Sequence, residues 1–272
     1  MTLVKHLARN QLGKDWVIGD IHGCFSALDQ ALGHIDFNPS CDRLISVGDL
    51  VDRGPDNMQA LHYLQQPWFH AVLGNHDWTH AWDATPTFRL SNHDKSDTAW
   101  AQSVRESAEY SALSDQLKRL PLIMDIETQR GLVGMVHAEV RPTYGHWSEV
   151  IELVNRYQSM SEVDISNRLL TGRTRLRKYA TLPYDRQVEG VSMVISGHTC
   201  VARPTWVGNS LFIDTGLVYG IQAVDGANAG LSLINLTDAT CHYYPVDPLT
   251  HQLDLDRVEV SPLNQLTRIV AK

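Results

Sequence analysis

The residues of this chain that could do chemistry sit in short, repeated junctions. The apolar run Trp16-Val17-Ile18 is followed by Gly19-Asp20-Ile21-His22-Gly23. In an extended segment Asp20 and His22 lie two apart, so both project to one side, where a carboxylate and an imidazole can share a metal ion. Gly19 and Gly23 let the backbone turn tightly around such a pair. Leu44-Ile45-Ser46-Val47 runs into Gly48-Asp49-Leu50-Val51-Asp52-Arg53-Gly54-Pro55, and Ala71-Val72-Leu73 into Gly74-Asn75-His76-Asp77. Three later apolar runs end at His137, at Ser196-Gly197-His198 and at Asp214-Thr215-Gly216. Ligands at the carboxyl ends of strands are what an α/β active site looks like in sequence.

Asp20, His22, Asp49, Asn75, His137 and His198 mix imidazole with oxygen donors. That mixture suits Mn, Fe, Zn, Ni or Co better than Mg, and the lack of a thiolate disfavours structural zinc. Six ligands are too many for one ion that leaves room for substrate. They suit two, with Asp49 as the bridging carboxylate. Two ions about 3.5–4 Å apart can clamp both oxygens of an in-line phosphoryl displacement and activate a bridging water. A departing alkoxide needs a proton, and His76, beside Asn75, is placed to give one with Asp52 as its carboxylate partner. Phosphoryl oxygens want a guanidinium fork: Arg53 in the second motif, and Arg173 or Arg175 from a basic stretch further on.

Elements that could position these groups follow from periodicity. Ser26 to Ile35 has helical spacing behind a serine cap, and a second helix is expected from Pro55 to Pro67. Strand, helix, strand, helix, strand reads as a βαβαβ unit with a parallel sheet. Trp78 to Pro121 breaks the rhythm as a mainly helical insertion that could shape the substrate entrance. Leu122 to Glu127 and Gly131 to Val136 read as a hairpin, and Trp147 to Tyr157 as a helix. Ser159 to Gln187 is polar, with Arg168, Arg177, Lys178 and Arg186 beside the two candidate arginines; most of its charges are expected in solvent. Of these two, Arg173 is the one favoured for phosphate, and Arg175 is expected at the surface. From Val191 onward, closely spaced short strands predict a second, more antiparallel sheet. The whole is expected to be an α/β four-layer α/β/β/α sandwich, a single domain over 1–272 with an insertion at about 78–121. The tail from Pro248 to Lys272 is read as a polar strand or extension.

Bulk properties narrow the partners. The 272 residues are 43% hydrophobic and 20% charged, with a net charge of -8. An acidic chain of this kind argues against a broad nucleic-acid surface. No signal-peptide pattern and no run of 18 apolar residues is visible, so a cytoplasmic protein away from membranes is expected. Cys24, Cys41, Cys200 and Cys241 are scattered singly and expected to be reduced and buried. His34, His62, His70, His80, His93, His146, His242 and His251 stand outside the motifs and are read as surface or core filler.

Gly-Asp-Ile-His-Gly, Gly-Asp-Leu-Val-Asp-Arg-Gly-Pro and Gly-Asn-His-Asp, followed by Val-His-Ala, Gly-His-Thr and Asp-Thr-Gly, resemble the phosphoprotein phosphatase superfamily of metallophosphoesterases. Within it they are most similar to the small bacterial and phage-type serine/threonine protein phosphatases. The resemblance spans residue 15 to about 220. It implies the calcineurin-like fold, a dinuclear centre usually loaded with manganese, and direct attack of a metal-activated hydroxide without a phosphoenzyme. It also implies the ligand set above, His76 as general acid paired with Asp52, and Arg53 and Arg173 on the phosphate. Phosphorylated protein, peptide or a small phosphoester is the expected partner.

Departures from the eukaryotic members are His76-Asp77 and His137-Ala138-Glu139, where those enzymes carry His-Glu and His-Gly-Gly. Regulatory subunits are therefore not expected. A neighbouring reading is symmetrical diadenosine tetraphosphatase, whose second motif resembles Gly-Asp-Leu-Val-Ala-Arg-Gly-Pro. Asp52 in place of that alanine favours phosphomonoesters, whose poor leaving group needs an acid. A non-catalytic phosphopeptide-binding scaffold should have lost a ligand, and none is lost. No strand leads into Gly-x-Gly-x-x-Gly, which excludes a dinucleotide-dependent redox enzyme.

Overall fold

The computed structural model describes residues 3–82, 98–156, 168–178, 187–224 and 229–269. His93, Tyr157 and Arg186, along with 83–97 of the expected insertion and most of 159–187, lie outside them.

The expected βαβαβ run is present as β2 (Asp15–Ile18), α1 (Phe25–His34), β3 (Arg43–Ser46), α2 (Gln59–Leu64) and β4 (Phe69–Ala71). The three strands pair in parallel. The hairpin is there as well, with β5 (Ile123–Thr128) antiparallel to β6 (Gly131–Val136). Five more strands follow before the tail: β7 (Met193–Ser196), β8 (Thr205–Val207), β9 (Ser210–Phe212), and β10 (Gly230–Asn235) with β11 (Thr240–Pro245) in a second hairpin.

Strand pairing departs from the expected grouping. The strands after Val191 do not make a sheet of their own. β7 joins β6 and β9 joins β7, both in parallel, while β10 adds antiparallel to β2 on the first sheet and β11 antiparallel to β10. The connection from β6 to β7 is long and carries α6 (Trp147–Asn155), which is what a parallel pairing requires. With β1 (Val4–Leu7) on one edge, one sheet reads β1-β5-β6-β7-β9-β8-β13 and the other β12-β11-β10-β2-β3-β4. The tail supplies β12 (Glu259–Pro262) to one sheet and β13 (Thr267–Ile269) to the other, so it is a tie between them.

Side-chain alternation explains the layers. In β2, Trp16 and Ile18 pack with Phe25, Leu28 and Leu32 of α1, whereas Val17 faces Ile45 and Val72 and, across the gap, Met124, Met135 and Ile195. Both sheet faces are thus buried, one under helices and one against the other sheet. On the far side Val136 and Val194 meet Trp147, Val150 and Val154 of α6. Helix, sheet, sheet, helix is the expected four-layer sandwich. Each fully buried aliphatic side chain here contributes roughly 1.5–3 kcal/mol of burial.

Two helix starts differ from expectation. Ser26 does not cap α1; the helix begins at Phe25 after Cys24, and the Ser26 hydroxyl donates to Asp56 Oδ2 at 2.7 Å. The second helix begins at Gln59, because the preceding residues are tied to the first and second motifs: Asp56 N–H donates to Gly23 O at 2.7 Å and Asn57 Nδ2 to Gly54 O at 2.7 Å. Within the 78–121 stretch, α3 (Asn75–Trp82) runs in from the third motif, and α4 (Ala99–Val104) and α5 (Ala108–Leu117) follow.

Candidate metal centre

β2, β3 and β4 in one sheet and β6, β7 and β9 in the other end at the same edge of the sandwich. Their carboxyl-terminal loops carry Asp20 and His22, Asp49 to Arg53, Asn75 and His76, His137, His198, and Asp214. The loops interlock through the backbone: Ile21 and His22 donate to Asp49 O, Gly23 donates to Leu50 O, and Gly197 donates to His137 O. His22, Asp49, Asp52, Arg53 and His198 all hold positive φ, between 46° and 76°. Such conformations cost side-chain-bearing residues free energy and persist where the surroundings fix them, typically at functional sites.

Close approach also dictates two glycines. A Cβ on Gly74 would lie 2.2 Å from Asp49 Oδ1, and one on Gly197 would lie 2.0 Å from Asp20 Oδ1. Neither carboxylate could stay where it is beside any larger residue.

The structure gathers the six ligand candidates, all buried. Ligand atoms of His22, Asp49 and His76 lie within 4.8 Å of one another, as do those of Asp49, His137 and His198. Asp49 belongs to both groups, with Oδ2 at 3.6 Å from His22 Nε2 and 3.4 Å from His137 Nε2. Asn75 Oδ1 is 3.0 Å from His137 Nε2. Asp20 stands beside these groups, both of its oxygens 3.1 Å from the His198 backbone N–H that they accept.

The donor set fits divalent metal ions. His22 Nδ1 lies 3.0 Å from Val51 O and His137 Nδ1 lies 2.8 Å from Val47 O, so each ring donates N–H to a carbonyl and aims Nε2 inward. His198 Nε2 is buried with no hydrogen-bond partner, as a ring nitrogen is when its lone pair serves an ion. Two overlapping His/Asp groups that share the Asp49 carboxylate make two divalent-metal-binding sites; His76 falls within reach of the first group but is not one of the six expected ligands.

Electrostatics agree with that reading. Burial, then Asp214 and Asp49, push Asp20 well above the usual carboxylate range. Burial alone would raise Asp49, yet the His137, His76 and His22 imidazoles hold it well below that range. Burial opposes a charge on His137, but Asp49 and Asp20 raise it to about 9. Burial and His76 lower His22 to about 3; burial, His137 and Arg173 lower His198 to about 2. Buried carboxylates this close together call for positive charge, and divalent ions supply it.

His76 Nδ1 meets Asp52 Oδ2 at 2.7 Å, and Asp52 is fully buried. Burial would raise the Asp52 carboxyl, but hydrogen bonds from His76 and His80 outweigh it and keep it ionised. Arg53 reaches both rings, Nη1 at 2.8 Å from His22 Nε2 and Nη2 at 3.1 Å from His76 Nε2. Its guanidinium also lies 5.6 Å from the Tyr219 ring centroid. Arg173 is half-buried and close enough to His198 to depress it. Arg175 is not at the surface as expected: it is 4% exposed, and its Nε donates to Val140 O at 3.1 Å. The reason is Glu139, whose buried carboxylate accepts the Thr174 and Arg175 backbone N–H groups at 2.8 and 2.6 Å and draws that segment inward.

Three groups at the site were given no role from sequence, although Asp77 and Asp214 stand in the junctions named there. Asp77 is fully buried; its Oδ1 accepts Leu50 N–H at 2.8 Å and its Oδ2 accepts Gly74 N–H at 3.0 Å, pinning the second and third loops together. Asp214 sits at the sixth junction and bonds Gly216 N–H at 2.9 Å. His80, expected to be filler, bonds Asp52; its spacing of four residues from His76 was the available signal. The four cysteines are unpaired; Cys24 and Cys241 are buried as expected, whereas Cys41 is half-buried and Cys200 exposed. No helix among the described residues is long and apolar enough to cross a membrane.

Comparison with known proteins extends this picture. A model of the calcineurin-like phosphoesterase family matches residues 14–202. Serine/threonine-protein phosphatase 1 of Salmonella typhimurium (strain LT2) is 33% identical over 216 residues, covering 76% of this chain and 88% of that protein. A symmetrical bis(5'-nucleosyl)-tetraphosphatase of Shewanella sp. (strain ANA-3) is 36% identical over 131 residues, 47% of this chain and 45% of its own. In shape, a crystal structure described as a candidate diadenosine tetraphosphatase superposes with a TM-score of 0.63 over 90% of this chain and 98% of that one. At 22% identity that likeness speaks to the fold alone.

Proposed function

The chain belongs to the calcineurin-like phosphoesterase family and is a metal-dependent phosphoesterase, and from that premise we propose that it is a protein serine/threonine phosphatase. The observation that carries the proposal is the buried Asp52–His76 pair, 2.7 Å apart at the edge of the metal centre. A serine or threonine alkoxide is a poor leaving group and needs a proton as it departs; a nucleotide phosphate leaves more easily. The Salmonella protein phosphatase also aligns along much more of this chain than the Shewanella tetraphosphatase does.

Asp20, His22, Asp49, Asn75, His137 and His198 are the proposed ligands, and manganese the proposed metal. Bound there, two divalent ions supply Lewis acidity to the phosphoryl oxygens and make water a nucleophile near neutral pH. Arg53 and Arg173 hold the remaining phosphoryl oxygens and fix the ester in line for attack. As a water oxygen bonds to phosphorus and the P–O(alkyl) bond breaks, His76 Nε2, free to carry a proton once Arg53 turns from it to the phosphate, protonates the departing oxygen and regains a proton from the water consumed. Asp52 holds His76 Nδ1–H throughout, so the ring keeps its orientation. The products are inorganic phosphate and a free hydroxyl side chain. Unpaired cysteines accord with a cytoplasmic setting.

The test is a rate comparison with added Mn²⁺ on a phosphothreonine peptide, p-nitrophenyl phosphate and diadenosine tetraphosphate. Faster release of phosphate from the peptide supports the proposal. Preferential splitting of the dinucleotide into two diphosphates overturns it and leaves the tetraphosphatase reading.

A further inference from the structure

Asp52 accepts more than the one hydrogen bond that the acid pair requires. Its Oδ2 faces His76, while its Oδ1 lies 2.7 Å from His80 Nε2 and 2.7 Å from Trp100 Nε1. An indole nitrogen is a donor only, so Trp100 must donate to Oδ1. His80 Nδ1 lies 2.8 Å from the Tyr110 hydroxyl, which can donate to it and so leave the ring proton on Nε2, facing Asp52. The His80 ring is also held by Trp100 and Tyr110, with centroids 5.1 and 5.9 Å away. The Ser114 hydroxyl donates to the His80 carbonyl at 2.9 Å, which ties α3 to α5.

The geometry of an aspartate makes these donors matter. Its last torsion is soft, with no sharp staggered minimum, so the backbone alone does not decide which way the carboxylate plane turns. A fully buried carboxylate must nevertheless have its lone pairs satisfied. Two donors on Oδ1 settle the plane and leave Oδ2 aimed at His76. His80 comes one helical turn after His76 on α3, and Trp100 comes from α4.

We infer that His80 and Trp100 are positioning residues that lock Asp52 in the orientation that presents Oδ2 to His76. The helices of the 78–121 stretch thereby reach the chemistry through Asp52, beyond any part they play in shaping the entrance. The inference rests on the reading of His76 as the general acid.

The test uses the full-length, Mn²⁺-reconstituted protein and a series of phosphate monoesters from 2,4-dinitrophenyl through phenyl to alkyl. A group that helps only the acid matters for poor leaving groups and little for good ones. Trp100→Phe, which removes the N–H with little change of shape, and His80→Leu are each expected to lower kcat on phenyl and alkyl phosphates by on the order of tenfold. Their rates on the dinitrophenyl ester should change less than about threefold. His80→Gln, whose side-chain amide can still donate to Asp52, should recover most of the loss. His76→Asn is the control. If it loses rate selectively on poor leaving groups while Trp100→Phe and His80→Leu slow all esters alike, or none, the positioning role is overturned and the acid stands. If His76→Asn shows no such selectivity, the acid reading itself fails and takes this inference with it. Should His80→Leu not fold, Trp100→Phe and His80→Gln decide the matter.

Discussion

Asp49 Oδ1 accepts the backbone N–H of His76 at 2.9 Å. The carboxylate shared by both His/Asp groups therefore also fixes the residue beside Asn75, so the proposed ligands and the proposed acid are built as one unit. Asp49→Asn keeps the volume but offers an amide where a bridging carboxylate is needed. It should bind fewer than two ions per chain and lose more than ~10²-fold in kcat. Metal analysis after reconstitution reads this directly; two tightly held ions in the variant would contradict the bridging role.

Asp77 holds the second and third loops together through Leu50 and Gly74. Asp77→Ala leaves two buried N–H groups without an acceptor, at a cost of about 1–3 kcal/mol. Because those loops carry Asp49 and Asn75, Mn²⁺ affinity should weaken by ~10–100-fold. Calorimetric titration and thermal melts together check this, and wild-type values for both would remove Asp77 from the account.

Arg173 and Arg175 should separate cleanly. Arg173→Ala removes a guanidinium near His198 that is proposed to hold phosphate, and kcat/KM should fall by ~10²–10³ while the melting temperature barely moves. Arg175→Ala empties a buried position and should cost about 1–3 kcal/mol of stability with a much smaller effect on rate. The reverse pattern would exchange their roles.

Metal binding should release protons over an unusual pH range. His22 and His198, lowered to about 3 and about 2, are already neutral at pH 7 and contribute none. His137, raised to about 9, carries a proton until that pH and must lose it to ligate. Apparent Mn²⁺ affinity should therefore keep rising, by about tenfold per pH unit, from pH 7 toward 9. An ordinary histidine would let it level off near 6.5. Titrations in two buffers of different ionisation enthalpy count the proton, and a plateau by pH 7 argues against this charge arrangement.

Much of the site was legible because it is local. An apolar run that ends in a polar group recurs at six strand ends, four of them with a glycine just before that group, and each junction needs only a few consecutive residues to be recognised. The β5–β6 hairpin was legible for the same reason. What stayed hidden depends on distant pairing. Strands buried on both faces, such as β7 and β10, carry no mark of which sheet they join, and the long α6 crossover decided it. Arg175 sits in a polar stretch, and Glu139, over thirty residues earlier, draws it inward. The Asp52–Trp100 bond likewise joins residues 48 apart in sequence. The polar tail gave no sign that it would place one strand on each sheet.

The central claim is that the Asp52–His76 pair equips this metal centre for phosphomonoesters. The most direct measurement compares Asp52→Ala with wild type, both loaded with Mn²⁺, on a phosphothreonine peptide and on diadenosine tetraphosphate. Rapid peptide dephosphorylation that falls by ~10²–10⁴ in the variant, with little change on any dinucleotide cleavage, is the expected result. A variant as active as wild type, with the dinucleotide as the better substrate for both, would contradict the claim and leave the fold and the metals standing.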